Sequence, residues 1–129
     1  MGSQSRTVTT GQAPAAIGPY SQAVVAGKLL FVSGQIPLDP ETGRFVAGGI
    51  TDQVHRIVAN MRAIIQEAGG ELENVVKTTI FVTDMADFAE VNEAYAEHFG
   101  TILPARSTVQ VAGLPLGAQV EMEAVAVLP

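Results

Sequence analysis

The sequence predicts an α+β fold, a two-layer sandwich in which a mixed sheet of six strands carries two helices on one face. Three observations lead there. Extended and helical patterns alternate along the chain as β-β-β-α-β-α-β-β, and two helices are too few to cover both faces of a sheet. A chain of 129 residues with 47% hydrophobic content is long enough for one core and short for two, so residues 1–129 read as a single domain. The last strand carries apolar side chains of both parities: Val120, Met122, Ala124 and Ala126 on one side, Val125 and Val127 on the other. A sheet face that apolar needs a cover, which predicts a homo-oligomer.

The elements follow in order. Residues 6–10, 21–26 and 28–33 are extended, and Gly27-Lys28 between the last two is a hairpin signal. Asp39-Pro40-Glu41-Thr42-Gly43 collects turn formers and reads as a surface loop. Over residues 51–68, Val54, Ile57, Val58, Met61, Ile64, Ile65 and Ala68 recur at spacings of three and four, the stripe of an amphipathic helix that Gly69-Gly70 ends. Residues 75–83 are rich in β-branched side chains and form a strand. A second helix over residues 85–99 aligns Phe88, Val91, Tyr95 and Phe99 and closes at Gly100. Two strands, residues 106–111 and 118–127, return around the loop 113–117.

Composition narrows the function. Seven basic residues against thirteen acidic ones give a formal charge of −6, and the basic residues are scattered, a poor footprint for a phosphate backbone. The absence of cysteine removes disulfides and thiolate chemistry. His55 and His98 match no metal-ligand spacing and read as solvated surface residues, so neither a metal nor a cofactor is implied. The N-terminus lacks a basic stretch leading into an apolar run, and no segment approaches eighteen apolar residues, which predicts a cytoplasmic protein; Gly2-Ser3 is compatible with a cloning remnant.

Arg106 is the leading candidate site residue. It opens a strand after Leu103-Pro104-Ala105, and its planar fork matches a carboxylate bidentately. The bland alternative is an ion pair with Glu121 or Glu123, which share one face of the last strand. Asn92, on the apolar stripe of the second helix, predicts a buried amide bonded to a loop backbone group. Tyr20 follows Gly18-Pro19 just before a strand, where packing is the default role. Ser33-Gly34 ends a strand and offers a hydroxyl and N–H groups to an anion, with strand capping as the default.

Five segments in order then match a known pattern. Ala13-Pro14-Ala15-Ala16-Ile17-Gly18-Pro19-Tyr20-Ser21-Gln22, Ser33-Gly34-Gln35-Ile36-Pro37, Val76-Lys77-Thr78-Thr79-Ile80-Phe81-Val82, Pro104-Ala105-Arg106-Ser107 and Val120-Glu121-Met122-Glu123-Ala124 resemble the signature segments of the RidA (YjgF) family of imine deaminases. The resemblance implies a chorismate-mutase-like fold, a homotrimer with sites between adjacent subunits, no cofactor, and hydrolysis of 2-imino or enamine acids such as 2-iminobutanoate and 2-iminopropanoate to 2-keto acids and ammonia. By position it implies that Arg106 holds the substrate carboxylate and Glu121 the attacking water. Tyr20, Ser33 and Gly34 would line the cleft and Asn92 would support it. Thr108 stands where many relatives have cysteine, and the reaction is expected to survive that change. The rival readings are a non-catalytic keto-acid-binding module, which the presence of Arg106 counts against, and a ribonuclease or translation inhibitor, which the acidic balance counts against. Chaperone-like holding leaves no trace in the sequence.

Overall fold

The computed structural model describes residues 5–129; residues 1–4, with Gly2-Ser3, lie outside it. Strands β1 (Ser5–Val8), β2 (Ala23–Ala26) and β3 (Leu29–Gln35) form an antiparallel meander, followed by α1 (Ile50–Glu67), β4 (Val75–Val82), α2 (Phe88–Phe99), β5 (Ala105–Gln110) and β6 (Val120–Val127). The element order is the predicted one. Two boundaries move for local reasons. β1 stops at Val8 because the Gln22 side chain captures the next stretch: its Oε1 accepts from the Thr10 N–H (2.7 Å) and its Nε2 donates to the Thr10 carbonyl (3.1 Å), leaving nothing for a ladder. The second helix starts at Phe88 because Asp84 caps a 3₁₀ turn at Met85–Asp87, its Oδ1 accepting from the Ala86 N–H at 2.9 Å.

The six strands lie in the order β1-β2-β3-β6-β4-β5. Only β4 and β5 run parallel, joined through α2 as a crossover, so the sheet is mixed. β6 sits in the middle, between β3 and β4. The stripe of α1 from Val54 to Ile65 packs onto the sheet with Leu30, Val32, Ile80, Val82, Val120 and Met122, all buried. Each such side chain contributes about 1.5–3 kcal/mol of transfer free energy. Asn60 is fully buried on the same helix and satisfied at both ends, accepting from Arg56 Nε at 3.0 Å and donating to the Leu38 carbonyl at 2.9 Å.

Register divides the sheet into two faces with different chemistry. Arg106 lies beside Thr78, and Thr78 beside Ala124, on the side the helices cover. Glu121, Phe81 and Val109 form one cross-strand row on the other side, and Glu123, Thr79 and Ser107 the next. Val24, Phe31 and Val125 form a third row there, with Leu29 beside Val127. Phe31, Leu29, Val109 and Val127 are exposed, so the apolar second face inferred from β6 extends across the sheet.

The histidines depart from expectation. His55 of α1 and His98 of α2 meet as a half-buried pair, Nδ1 to Nε2 at 2.7 Å with rings edge-to-face, and Glu97 lies 3.5 Å from the far nitrogen of His55. Helix packing, which spacing along one helix does not reveal, draws them together. Among the described residues, no helix is long and apolar enough to cross a membrane.

Candidate functional site

The expected site residues fall into two places on the chain. Tyr20, Ser33, Gly34 and Glu121 line one cavity of about 600 Å³, walled by residues 14–17, Ile36, Leu38, Pro115 and Leu116, with Glu123 at its margin. Arg106 and Asn92 line a second hollow of about 230 Å³ with Tyr95, Phe99, Leu103 and Pro104. The first opens on the uncovered face of the sheet and the second at its β5 edge on the helix side. Thr78 and Ile80 of β4 point one way and Phe81 the other, so a single chain holds its guanidinium and its Glu121 carboxylate on opposite faces.

The Glu121 cavity is shaped by a bulge. Val32 pairs with Ala124 but Gln35 with Met122, so β3 carries one extra residue at Ser33-Gly34 opposite the middle of β6. Gly34 is needed there for space, since a Cβ on it would overlap the Glu121 carboxylate. The Ser33 hydroxyl donates to the Ser21 carbonyl at 2.6 Å, which leaves it able to accept from a ligand but not to donate. The Tyr20 hydroxyl accepts from the Ile17 N–H at 3.3 Å, tying the ring to the cavity's outer loop. That loop is fastened by Gln22, a buried amide that also donates to the carbonyls of Ala13 (3.3 Å) and Pro14 (2.8 Å). Burial, and after it the negative charge of Glu123, pushes the Glu121 carboxyl above the usual carboxylate range. A carboxyl so raised takes up and gives back a proton closer to neutral pH.

Arg106 is held by a different device. No carboxylate lies in ion-pair range of it among the described residues, so the pairing with Glu121 or Glu123 does not form; the strand register places those side chains on the other face. Instead its Nη1 donates to Asn92 Oδ1 at 2.7 Å, and its guanidinium carbon stands 4.9 Å from the Tyr95 ring centre and 5.6 Å from that of Phe88. Asn92 is therefore exposed and bonded to a side chain, not buried against a loop backbone. Tyr95 is itself fixed: its hydroxyl meets Thr78 Oγ1 at 2.7 Å and its ring stacks on Phe99. Burial raises the Tyr95 pKa against the opposing Thr78 hydrogen bond and Arg106 charge, so the phenol stays protonated at neutral pH. The result is a charged fork on an aromatic shelf, with donors left over for an incoming anion.

Sequence reasoning missed the shelf, assigning Phe88 and Tyr95 to the core, and missed Gln22. It also missed two leucines. Leu103 (φ +53°) and Leu116 (φ +57°) are the non-glycine residues in the left-handed region, and they are 75% and 68% exposed. That conformation costs a residue with a Cβ roughly 1–2 kcal/mol. Thr108, two residues beyond Arg106 on the same strand face, has a buried hydroxyl with no hydrogen-bond partner.

The arrangement has many relatives. The family model described as Endoribonuclease L-PSP matches residues 10–128. The chain is 50% identical over 125 residues to the chloroplastic Reactive Intermediate Deaminase A of Arabidopsis thaliana, covering 97% of this chain and 67% of that protein. It is 46% identical over 122 residues to the human 2-iminobutanoate/2-iminopropanoate deaminase, covering 95% and 89%. Among solved structures, Escherichia coli TdcF with bound serine superposes with a TM-score of 0.91 at 42% identity, over 96% of this chain and 99% of that one.

Proposed function

The chain belongs to the RidA (YjgF) family, whose model is described as Endoribonuclease L-PSP, and from that premise we propose that it is an enzyme hydrolysing 2-imino acids, 2-iminobutanoate and 2-iminopropanoate among them, to 2-keto acids and ammonia. The observation that carries the reading is the pair of complementary half-sites: a fork with unused donors on one edge, and a raised carboxyl in an apolar cavity on the opposite face. A substrate of four or five heavy-atom lengths cannot bridge them within one chain. The working site therefore forms between copies, Arg106 of one facing the Glu121 cavity of its neighbour, and a ring of three copies makes three such sites while covering the rows around Phe31 and Val125.

In such a site Arg106 binds the substrate carboxylate through two parallel N–H···O bonds and fixes the C=N carbon. Glu121 accepts a proton from a water as its oxygen attacks that carbon, giving a carbinolamine. The carboxyl returns the proton to the nitrogen, the C–N bond breaks, and ammonia leaves as the carbonyl forms. The overall balance is imine plus water to ketone plus ammonia. Asn92, Tyr95 and Phe88 hold the fork in place, and Gly34 leaves room for the carboxyl. Since imines hydrolyse spontaneously, a modest set of polar groups suffices.

The test couples a threonine dehydratase to the protein and follows 2-ketobutanoate formation while semicarbazide competes for the imine. Protein-dependent loss of the semicarbazone supports the enzyme. Unchanged semicarbazone yield, with 2-ketobutanoate still binding, makes the protein a keto-acid binder.

A further inference from the structure

We propose that Leu103 and Leu116 are the specificity-determining walls of the site, two leucines that close on the substrate side chain from opposite copies and select unbranched and branched apolar 2-imino acids by length. The inference rests on the composite site proposed above. Both residues combine two unfavourable features: a left-handed backbone in a residue with a Cβ, and an apolar side chain mostly in water. Leu103 closes the end of α2, its N–H donating to the Phe99 carbonyl at 2.9 Å, a position where glycine or asparagine is the ordinary solution. Leu116 sits between Pro115 and Gly117 in a 3₁₀ turn whose other residues also gain nothing from its side chain. Neither leucine is buried in the core of its own chain, so the fold gives no reason to keep it.

Their positions supply a reason. Leu103 lines the hollow that holds Arg106, and Leu116 lines the cavity that holds Glu121. Each half-site thus carries one strained leucine at its rim, and strain retained at a rim is a mark of function. When the halves face each other, a carboxylate on Arg106 and a C=N carbon at Glu121 leave the third substituent of that carbon, the side chain, to lie between the two leucines and the apolar stretch Ile17, Ile36 and Leu38. The strained backbone aims each side chain where a relaxed one would not point.

The test compares wild type with Leu103→Asn and Leu116→Asn, which suit the left-handed backbone but remove the apolar wall, and with Leu→Met controls. Hydrolysis is followed for the 2-imino acids of alanine, 2-aminobutanoate and leucine, generated in place by an L-amino-acid oxidase, and binding of the matching 2-keto acids is measured by calorimetry. The Asn variants are expected to raise KM and Kd by roughly tenfold for the leucine-derived pair and by less than about twofold for the alanine-derived pair. Their Tm should equal or exceed that of wild type by up to about 3 °C, with the assembly mass unchanged by light scattering. The Met controls should keep wild-type selectivity. Equal factors for all side-chain lengths, or a fall in assembly mass, overturn the proposal. Hydrolysis by wild type with length-independent variants sinks the walls and leaves the deaminase. Length-graded loss of keto-acid binding without hydrolysis by wild type keeps the walls and sinks the deaminase, and a wild type that neither hydrolyses nor binds sinks both.

Discussion

The two half-sites are built on opposite plans. Around Glu121 the chain makes a walled cavity from a strand bulge and two loops, and burial makes the acid reluctant to ionise. Around Arg106 it makes an open shelf on a strand edge, where two aromatic rings and one amide fix a cation without neutralising it. The difference follows from the charges involved. A carboxyl meant to exchange protons gains from being partly desolvated, while a guanidinium meant to grip an anion must stay ionised and keep donors free. Keeping the two apart within one chain also prevents them from pairing with each other, which would silence both.

The sharpest way to break this comparison is to remove the cation. Arg106→Ala should lower kcat/KM by at least about a hundredfold, the scale on which lost electrostatic clamps are felt, with circular dichroism and Tm near wild type because no core contact is lost. Arg106→Lys should recover little, since a point charge lacks the two-pronged geometry. Activity within threefold of wild type in either variant would return Arg106 to the surface. Next in size, Glu121→Gln should lower kcat by roughly a hundredfold and leave 2-ketobutanoate affinity within about threefold, as expected for a group acting on water. A loss seen in affinity alone would make the carboxyl a binding contact.

Gly34→Ala tests the cavity's shape without touching a charge. The added methyl displaces the Glu121 carboxyl, so kcat should fall about tenfold while the Arg106 half keeps its hold on a keto acid. On the other half, Tyr95→Phe keeps the ring under the guanidinium but orphans the buried Thr78 hydroxyl. Stability should drop by about 1–3 kcal/mol in urea unfolding, with kcat/KM within about threefold.

The smallest effect is one of pH. A carboxyl whose folded pKa stands above its unfolded value stabilises the fold below the unfolded pKa, and that contribution is lost as pH rises through the folded one. Glu121→Gln should therefore melt higher than wild type near neutral pH, with the difference closing at about pH 4. His98 has the opposite sign. Burial, then the charges of His55 and Arg62, holds it below the ordinary imidazole value against the pull of Glu97, so stability is lost as pH falls below about 6.5. A variant gap that stays constant with pH would show that Glu121 is not strained by its surroundings.

How much of this was legible in the sequence follows the same division. Periodicity located every strand and both helices, and alternation along β6 placed Glu121 and Glu123 together on the less covered face. Those are short-range patterns, fixed by geometry of the strand itself. The Arg106 partner was misassigned because register across β5, β4 and β6 decides which face each side chain takes, and a single sequence carries no register signal at that distance. Asn92, Phe88 and Tyr95 looked like a core stripe because the helix does present them toward the sheet, just beyond the point where the sheet ends at β5. Gln22 gave no signal, since a glutamine that fastens a loop reads like any other. Leu103 did offer a clue: it follows Gly100 at the close of a helix and precedes a proline, a setting where the chain often turns left-handed.

The account's central claim is that each site takes Arg106 from one copy and the Glu121 cavity from another. The most direct measurement refolds Arg106→Ala and Glu121→Gln chains together in equal amounts and assays imine hydrolysis. Random assembly should unite an intact fork with an intact carboxyl in about one site in four, so the mixture should recover about a quarter of wild-type activity from two inactive parents. Activity no greater than the sum of the parents refolded alone would contradict a site shared between chains.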